Sequence, residues 1–599
     1  MIRTSALSLT LTTLLASVAT SAIAQEAPAP QDAPPAAQPS PVDSPDPSTD
    51  AMTNLVRLLV AKGTITRDEG EQLLRKAQAE AGEARAANGN LTPPPPGTVR
   101  VPYVPETVRN QIRDEIKTEV LKQAQAEGWA SPKQQAPEWT KRVRFSGDVR
   151  FRGEQDLFSK DNANDIIDYA AINATPGGFD FFKNINNVPI INTRENRDRL
   201  RIRARIGAEF DLNRNAMVAV KLATGDDTSP ISTNQVLGGG LGKKNIWLDQ
   251  AYFRLSMDKW PHLSTMFGRF PNPFLSTDLV FDRDLNFDGM LVAFSPVAQG
   301  NTRVTLRGGA FPLDFGSFDY PSTSITKQKY PSKWLFAGQL EAGTEIGGVK
   351  VAAAAGFYHF RNVQGQLSAP CLFNGATVGI GTNDPAECST DGSRASFLRK
   401  GNTLFFIRDI VVPAPDTLPA SNRQFLGLTY KYSLLDVNGS VTVPVGGIDV
   451  TLQGNYVRNL AFKHRDECRY GVGPNGIPFT NVIAVNGNEN PCSAVSPAKM
   501  TSGNQGYLVR LTVGNPKPRK WGEWNFMADY RYLQSDAVLD SLTDSDFHLG
   551  GTNAKGYTIA GTLGLADGIS LTGRWMSANE ITGRPLSIDV FQIDLSAEF

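Results

Sequence analysis

The chain has 599 residues, 60 Lys+Arg against 60 Asp+Glu, 40% hydrophobic residues, 54 Gly and 39 Pro. Zero net charge leaves no basic excess for bulk nucleic-acid binding, and a mean hydropathy of -0.26 with no apolar run of ~20 residues beyond the N-terminus excludes a helical membrane protein. A membrane β-barrel stays open, because its strands hide their apolarity by alternating it with polar residues.

Arg3, the apolar stretch Leu7 to Val18 and the small-x-small site Ala22-Ile23-Ala24 read as a secretory signal peptide over residues 1–24. Residues 25–50, mostly Ala, Pro, Ser and Asp, bury too little apolar surface to offset chain entropy and form a disordered spacer. Residues 51–85 read as a small helical pair: Leu55, Leu58, Leu59 and then Leu73, Leu74 stand at helical spacing, broken by Gly63-Thr64-Ile65-Thr66, and Thr66 with Glu69 makes a capping box. A Pro-rich linker, 86–105, precedes an amphipathic helix at 106–128, where Val108, Ile112, Ile116, Val120 and Ala124 recur at i+4. That narrow stripe fits a short coiled coil or a packed surface helix equally. Residues 129–140 are a further linker.

From residue 141 the period changes to two. Between Arg142 and Glu154 even positions are polar and odd ones apolar or Gly, and the pattern returns at Arg199 to Ile206, Arg303 to Arg307, Ile448 to Tyr456 and Glu523 to Tyr532. One such strand is weak support for a barrel; about 16 in series are strong. Their connections alternate between short turns, holding Asn213, Pro261, Val297, Gly347-Gly348, Gly446-Gly447, Pro516 to Pro518 and Asp567-Gly568, and eight long loops. A meandering barrel needs this alternation if turns are tight at one rim and loops grow at the other. Two places fit poorly: Asn438-Gly439 could be a hairpin turn, and Asp249 shares a parity with Trp247 and Phe253. The expected fold is therefore all-β, a transmembrane antiparallel barrel of about 16 strands over 141–599, with a helical segment before it. A soluble β-sandwich array would not place so many Arg on wet faces and aromatics near strand ends.

The last strand puts Phe591, Ile593, Leu595, Ala597 and the final residue, Phe599, on one row. A closing aromatic resembles the signal read by the outer-membrane barrel assembly machinery. Further segments are Gly128-Trp129-Ala130 with Pro132, Trp139, Gly147-Asp148-Val149-Arg150-Phe151-Arg152, Arg201 to Arg205, Ser232-Thr233-Asn234-Gln235, Ala251-Tyr252, Gly268-Arg269 and Asn272-Pro273-Phe274. Together they resemble the putative porin family of Gram-negative outer membranes over roughly Glu106 to Phe599. The resemblance implies an outer-membrane channel and supplies no substrate. A water-filled barrel of this kind is expected to pass small hydrophilic solutes or ions through outer-membrane lipid. The loop alternation places both ends of the barrel, and so the N-terminal segment, on the short-turn, periplasmic side. The resemblance also implies homotrimers, and a third long loop, here Pro271 to Asn286, folded into the lumen as a constriction carrying Asp278, Asp282 and Asp284. A solvated acidic loop is the plainer reading of those three carboxylates.

No enzyme is expected, no cofactor and no nucleic-acid partner. The four histidines, His262, His359, His464 and His548, have no identifiable nucleophile partner, and no metal-ligand spacing occurs. The alternatives are a closed barrel serving structure or adhesion, and an outer-membrane hydrolase. Cys371 with Cys388 and Cys468 with Cys492 fall pairwise within single long loops, and the export context favours two local disulfides. Residues 1–140 hold 13 Lys+Arg and 16 Asp+Glu, which leaves the barrel a net +3, too little to set selectivity. Position matters more. Arg199, Arg201, Arg203 and Arg205 share one strand face, with Arg150 and Arg152 on a neighbour, and each would cost ~2–4 kcal/mol facing lipid at the midplane. They should line the lumen and give a modest anion preference.

Overall fold

The computed structural model describes most of residues 56–87, and residues 138–599 except 370–388, 411–422, 464–502 and a few loop positions between 182 and 324. The signal peptide, the spacer, the 106–128 helix and all four cysteines lie outside the described residues. The chain divides into two compact units, Met1–Gln123 and Ala124–Phe599.

In the first unit the helix Arg67–Ala87 starts at a reciprocal cap. The Thr66 N–H donates to Glu69 Oε2 at 2.8 Å, and the Glu69 N–H reaches back to Thr66 Oγ1 at 3.4 Å. Two of the donors that every helix start leaves unpaired are thereby satisfied. Thr66→Ala is expected to fray this first turn, read as faster amide exchange over residues 66–70.

The second unit is a closed barrel of sixteen strands. They are β1 Val143–Phe158, β2 Arg197–Asn213, β3 Ala216–Thr224, β4 Ile246–Met257, β5 Trp260–Pro271, β6 Asn286–Gln299, β7 Thr302–Asp314 and β8 Lys333–Ile346, then β9 Val349–Arg361, β10 Tyr432–Val445, β11 Ile448–Asn459, β12 Gln505–Gly514, β13 Trp524–Leu533, β14 Ala554–Ala566, β15 Ile569–Glu580 and β16 Ser587–Glu598. Each pairs antiparallel with the next. Closure comes from β16 bonding back to β1, in register from Asp148 opposite Glu598 to Phe158 opposite Ile588. Closing the sheet leaves no edge, which a bilayer demands because lipid offers no hydrogen bonds. The eight long connections, L1 to L8 in chain order, all leave from one rim.

Beyond β16, Phe599 completes the seam. Its N–H donates to the Gly147 carbonyl and its carbonyl accepts from the Gly147 N–H, both at 3.0 Å. A Cβ at Gly147 would stand 2.7 Å from the Arg205 carbonyl oxygen as well as against the Phe599 ring. Gly147→Val is accordingly expected to impair closure, seen as loss of the heat-modifiable band on mild-detergent gels.

The structure corrects four local readings. The tight turns after β4 and β6 fall at Asp258–Lys259 and Gly300–Asn301, so Pro261 and Val297 lie within strands, the latter beside an irregularity in the β6–β7 ladder. Asn438-Gly439 is the middle of β10 rather than a turn. Asp249 is the extra residue of a bulge, since Lys221 faces Gln250 but Leu222 faces Leu248, and the bulge turns it inward against its parity. Apolar parity also changes near Asp436, because Tyr432 and Leu434 point inward, where L3, L5 and L7 pack a large apolar core against one side of the barrel interior.

Candidate channel constriction

The register of β1 against β2 sets the inner wall. Asp148 stands opposite Arg205, Arg150 opposite Arg203, Arg152 opposite Arg201, Glu154 opposite Arg199 and Asp156 opposite Arg197. Residues two apart share a face, so all ten side chains point the same way, into the barrel, while Val149, Phe151, Leu200 and Ile206 stand exposed on the outer face.

Two Arg–Arg rungs in the middle would repel if left alone. Carboxylates from four directions hold them together. Arg152, 1% exposed, donates from Nε and Nη2 to Asp594 at 2.6 and 2.8 Å and from Nη1 to Asp546 of L7 at 2.6 Å. Arg201 lies 3.2 Å from Glu154 and 3.9 Å from Asp546. Arg203 and Arg205 share Asp148, at 3.0 and 2.6 Å, and Asp284 of L3, at 3.4 and 3.3 Å. Arg199 bridges Glu154 and Asp156, and Arg150 donates to Asn234 of L2 at 2.6 Å.

L3 thus folds into the barrel, but its three aspartates do different things. Asp284 meets the β2 arginines. Asp278 reaches the opposite wall, 2.9 Å from Arg510 and 3.5 Å from Arg531 and from Arg283. Burial alone would raise its pKa, and these three guanidinium groups hold it well below the usual carboxylate range. Asp282 makes no ion pair among the described residues; it accepts from the Asp284 and Ser545 N–H groups at 2.8 and 2.9 Å. Burial first, then Asp544 and Asp284, push its pKa well up.

Two polar cavities meet at L7. One, about 400 Å³, is lined by both walls including Arg150, Arg203, Arg283 and Arg574; the other, about 300 Å³, by Glu154, Arg199, Arg201 and Lys400. Ser545 and Asp546 line both, which puts the narrowing where L7 approaches β1 and β2. Sequence reasoning missed the partners on this far wall: Arg510, Arg531, Arg574 and the L7 acids. It also missed Arg283, whose 65% exposure makes it the least covered cation there. Alternation within β12, β13 and β15 marked those arginines as inward, but nothing local tied them to Asp278 or Asp546.

The family model for putative porins matches residues 49–599. The chain belongs to that family. As a porin it is an outer-membrane channel protein, and no curated protein sequence matches it. Solved structures of similar fold include the high-pH structure of Pseudomonas putida OprB (11% identity, 77% of this chain, 95% of that chain, TM-score 0.39). Others are a loop L8 deletion mutant of OmpT, an outer membrane protein of Vibrio cholerae (10%, 76%, 99%, 0.35), and the outer membrane channel DcaP of Acinetobacter baumannii (11%, 76%, 97%, 0.33).

L7 also carries buried acids away from this porin's charged wall. Burial raises Asp536 to about 6 and Asp540 to about 7, both in L7. An acid whose folded pKa is raised favours the folded form most below its unfolded value, near 4, and loses that contribution as pH climbs to the folded pKa. His548, held down by burial and by Lys400 beside it, acts in the opposite direction. Protease cleavage within L7 is therefore expected to quicken between pH 4 and pH 7 less in Asp540→Asn than in the wild type.

Proposed function

We propose that the barrel passes small hydrophilic solutes or ions by passive diffusion, without a catalytic step, and prefers anions modestly. The observation that carries this is the row Arg199, Arg201, Arg203 and Arg205 beside Arg150 and Arg152 on one wall of the narrowing, with Arg283 of L3 lining the same cavity as Arg150, Arg152, Arg203 and Arg205. The preference is modest because Asp148, Glu154, Asp284, Asp546 and Asp594 neutralise most of that row. Ions then feel a small local excess, focused by low-dielectric walls. The polar lumen replaces part of a solute's hydration while the outer rows meet lipid. In this reading the N-terminal segment is periplasmic, the barrel assembly machinery inserts the chain through its C-terminal Phe599, and the protein works as a homotrimer.

Purified protein in a planar bilayer tests the reading. Steps of ohmic conductance are expected, with a reversal potential on the anion side of zero in a salt gradient. A barrel that inserts but never conducts would favour the structural or adhesion role. Arg283→Ala should lower the anion preference without impairing folding, since its side chain is mostly in water.

A further inference from the structure

A third cavity, about 370 Å³, lies apart from the polar path and within the size range of ligand sites. Its lining is mostly apolar, with Phe287, Phe311, Leu335, Leu428 and Leu539 on it, each buried; buried Lys333 and Asp540 and the Arg269–Asp288 pair add charge to it. The barrel wall in front of it is split. The β4–β5 ladder stops at Ala251 opposite Arg269, and the β6–β7 ladder stops at Met290 opposite Ala310. The β5–β6 pair itself continues to Pro271 opposite Asn286, and β7–β8 to Asp314 opposite Lys333. So the top of the β5–β6 hairpin has ladder bonds to neither neighbour. On the β4 side the gap is bridged by side chains, Arg269 Nε donating to the Asp249 carbonyl at 2.9 Å and Asn286 Nδ2 to Asp249 Oδ1 at 2.6 Å, whereas on the β7 side Pro312 has no N–H to offer.

The height of this opening follows from the outer face. Phe267 and Met290 are paired, exposed and lipid-facing, and the next outward pair is the ion pair Arg269–Asp288 at 3.1 Å. Apolar giving way to charge within two residues, roughly 7 Å along a strand, marks the hydrocarbon boundary at the long-loop rim. The cavity opens at that boundary, with exposed Trp247 and Leu248 on one lip and Pro312 and Leu313 on the other. Between those lips the apolar part of its lining meets the outer face, with the Arg269–Asp288 pair beside the mouth.

We propose that this cavity is a lateral binding site for an acyl chain of a lipid in the leaflet at the long-loop rim, entered through the split beside the β5–β6 hairpin. Contact with the lipid-facing surface at Trp247 and Leu248 selects this occupant over a water-borne solute, because the polar cavities at the narrowing share no lining residue with this one.

The test uses the full-length protein in vesicles containing phosphatidylcholine with a photoactivatable diazirine on one acyl chain, read by residue-level mass spectrometry. Label is expected on Phe287, Phe311, Leu335 or Leu539, besides the outward Phe267, Met290 and Phe294 that any lipid touches. Leu539→Trp, which fills the cavity, should lower the inward label several-fold and leave the outward label unchanged; Leu428→Phe serves if the tryptophan is not accommodated. Label confined to the outward residues would overturn the proposal, and so would cross-links placing a second copy of the chain in the cavity.

Discussion

Replacing Arg201 and Arg203 together by Glu is expected to turn the anion preference into a cation preference. The two side chains stand on successive inward positions of β2, beside Glu154 and Asp546 in one case and Asp148 and Asp284 in the other. Each substitution removes a positive charge and adds a negative one next to carboxylates already present. The narrowing then passes from near balance to a strong acidic excess. On the order of a tenfold change in the ratio of anion to cation permeability is expected at low salt. The shift should fade in 1 M salt, where charges more than about 3 Å apart are screened. Losing the Arg203–Asp284 contact also frees one tether of L3, so single-channel conductance should rise. Reversal potentials in a potassium chloride gradient measure the first effect and step size the second; an unchanged potential would mean that ions do not pass this face.

The second large effect is on stability. Arg152→Ala is expected to cost about 3 to 5 kcal/mol, because it strands buried partners rather than because the ion pair was strongly favourable. The guanidinium is 1% exposed and spends its donors on Asp594 and on Asp546, one on the wall and the other on L7. Without it, two carboxylates remain inside with too little positive charge around them. Arg152→Lys keeps the charge but loses the two-pronged contact with Asp594, and its loss should be smaller. Urea unfolding in vesicles measures the order wild type, Lys, Ala. L7 should also exchange its amides faster in Arg152→Ala, since Asp546 is one of the contacts that hold this loop to the wall.

The alternating pattern by itself determined the barrel. A period of two with one apolar and one polar face, repeated between tight turns and long loops, has one stable solution in lipid, and the pairing of β1 with β16 supplies the closure. It also determined that the arginines of β1 and β2 face inward, since any other placement sets charge against hydrocarbon. The capping box at Thr66 and Glu69 was legible for the same reason: three residues of spacing fix the geometry.

What only the tertiary structure decided involves contacts between segments far apart in the chain. Parity misleads at Tyr432 and Leu434 because a barrel interior need not be wet; L3, L5 and L7 bring their own apolar side chains and pack a core there. Asp249 defies its parity because a bulge adds one residue against β3. The arginine row reads as a positive wall because Asp546 and Asp594 lie hundreds of residues from Arg152, and Asp278 reaches Arg510 and Arg531 rather than the β2 arginines. Sequence periodicity carries the direction of a side chain, which is a property of one strand. Charge balance depends on what loop closure brings opposite it, and no local pattern encodes that distance.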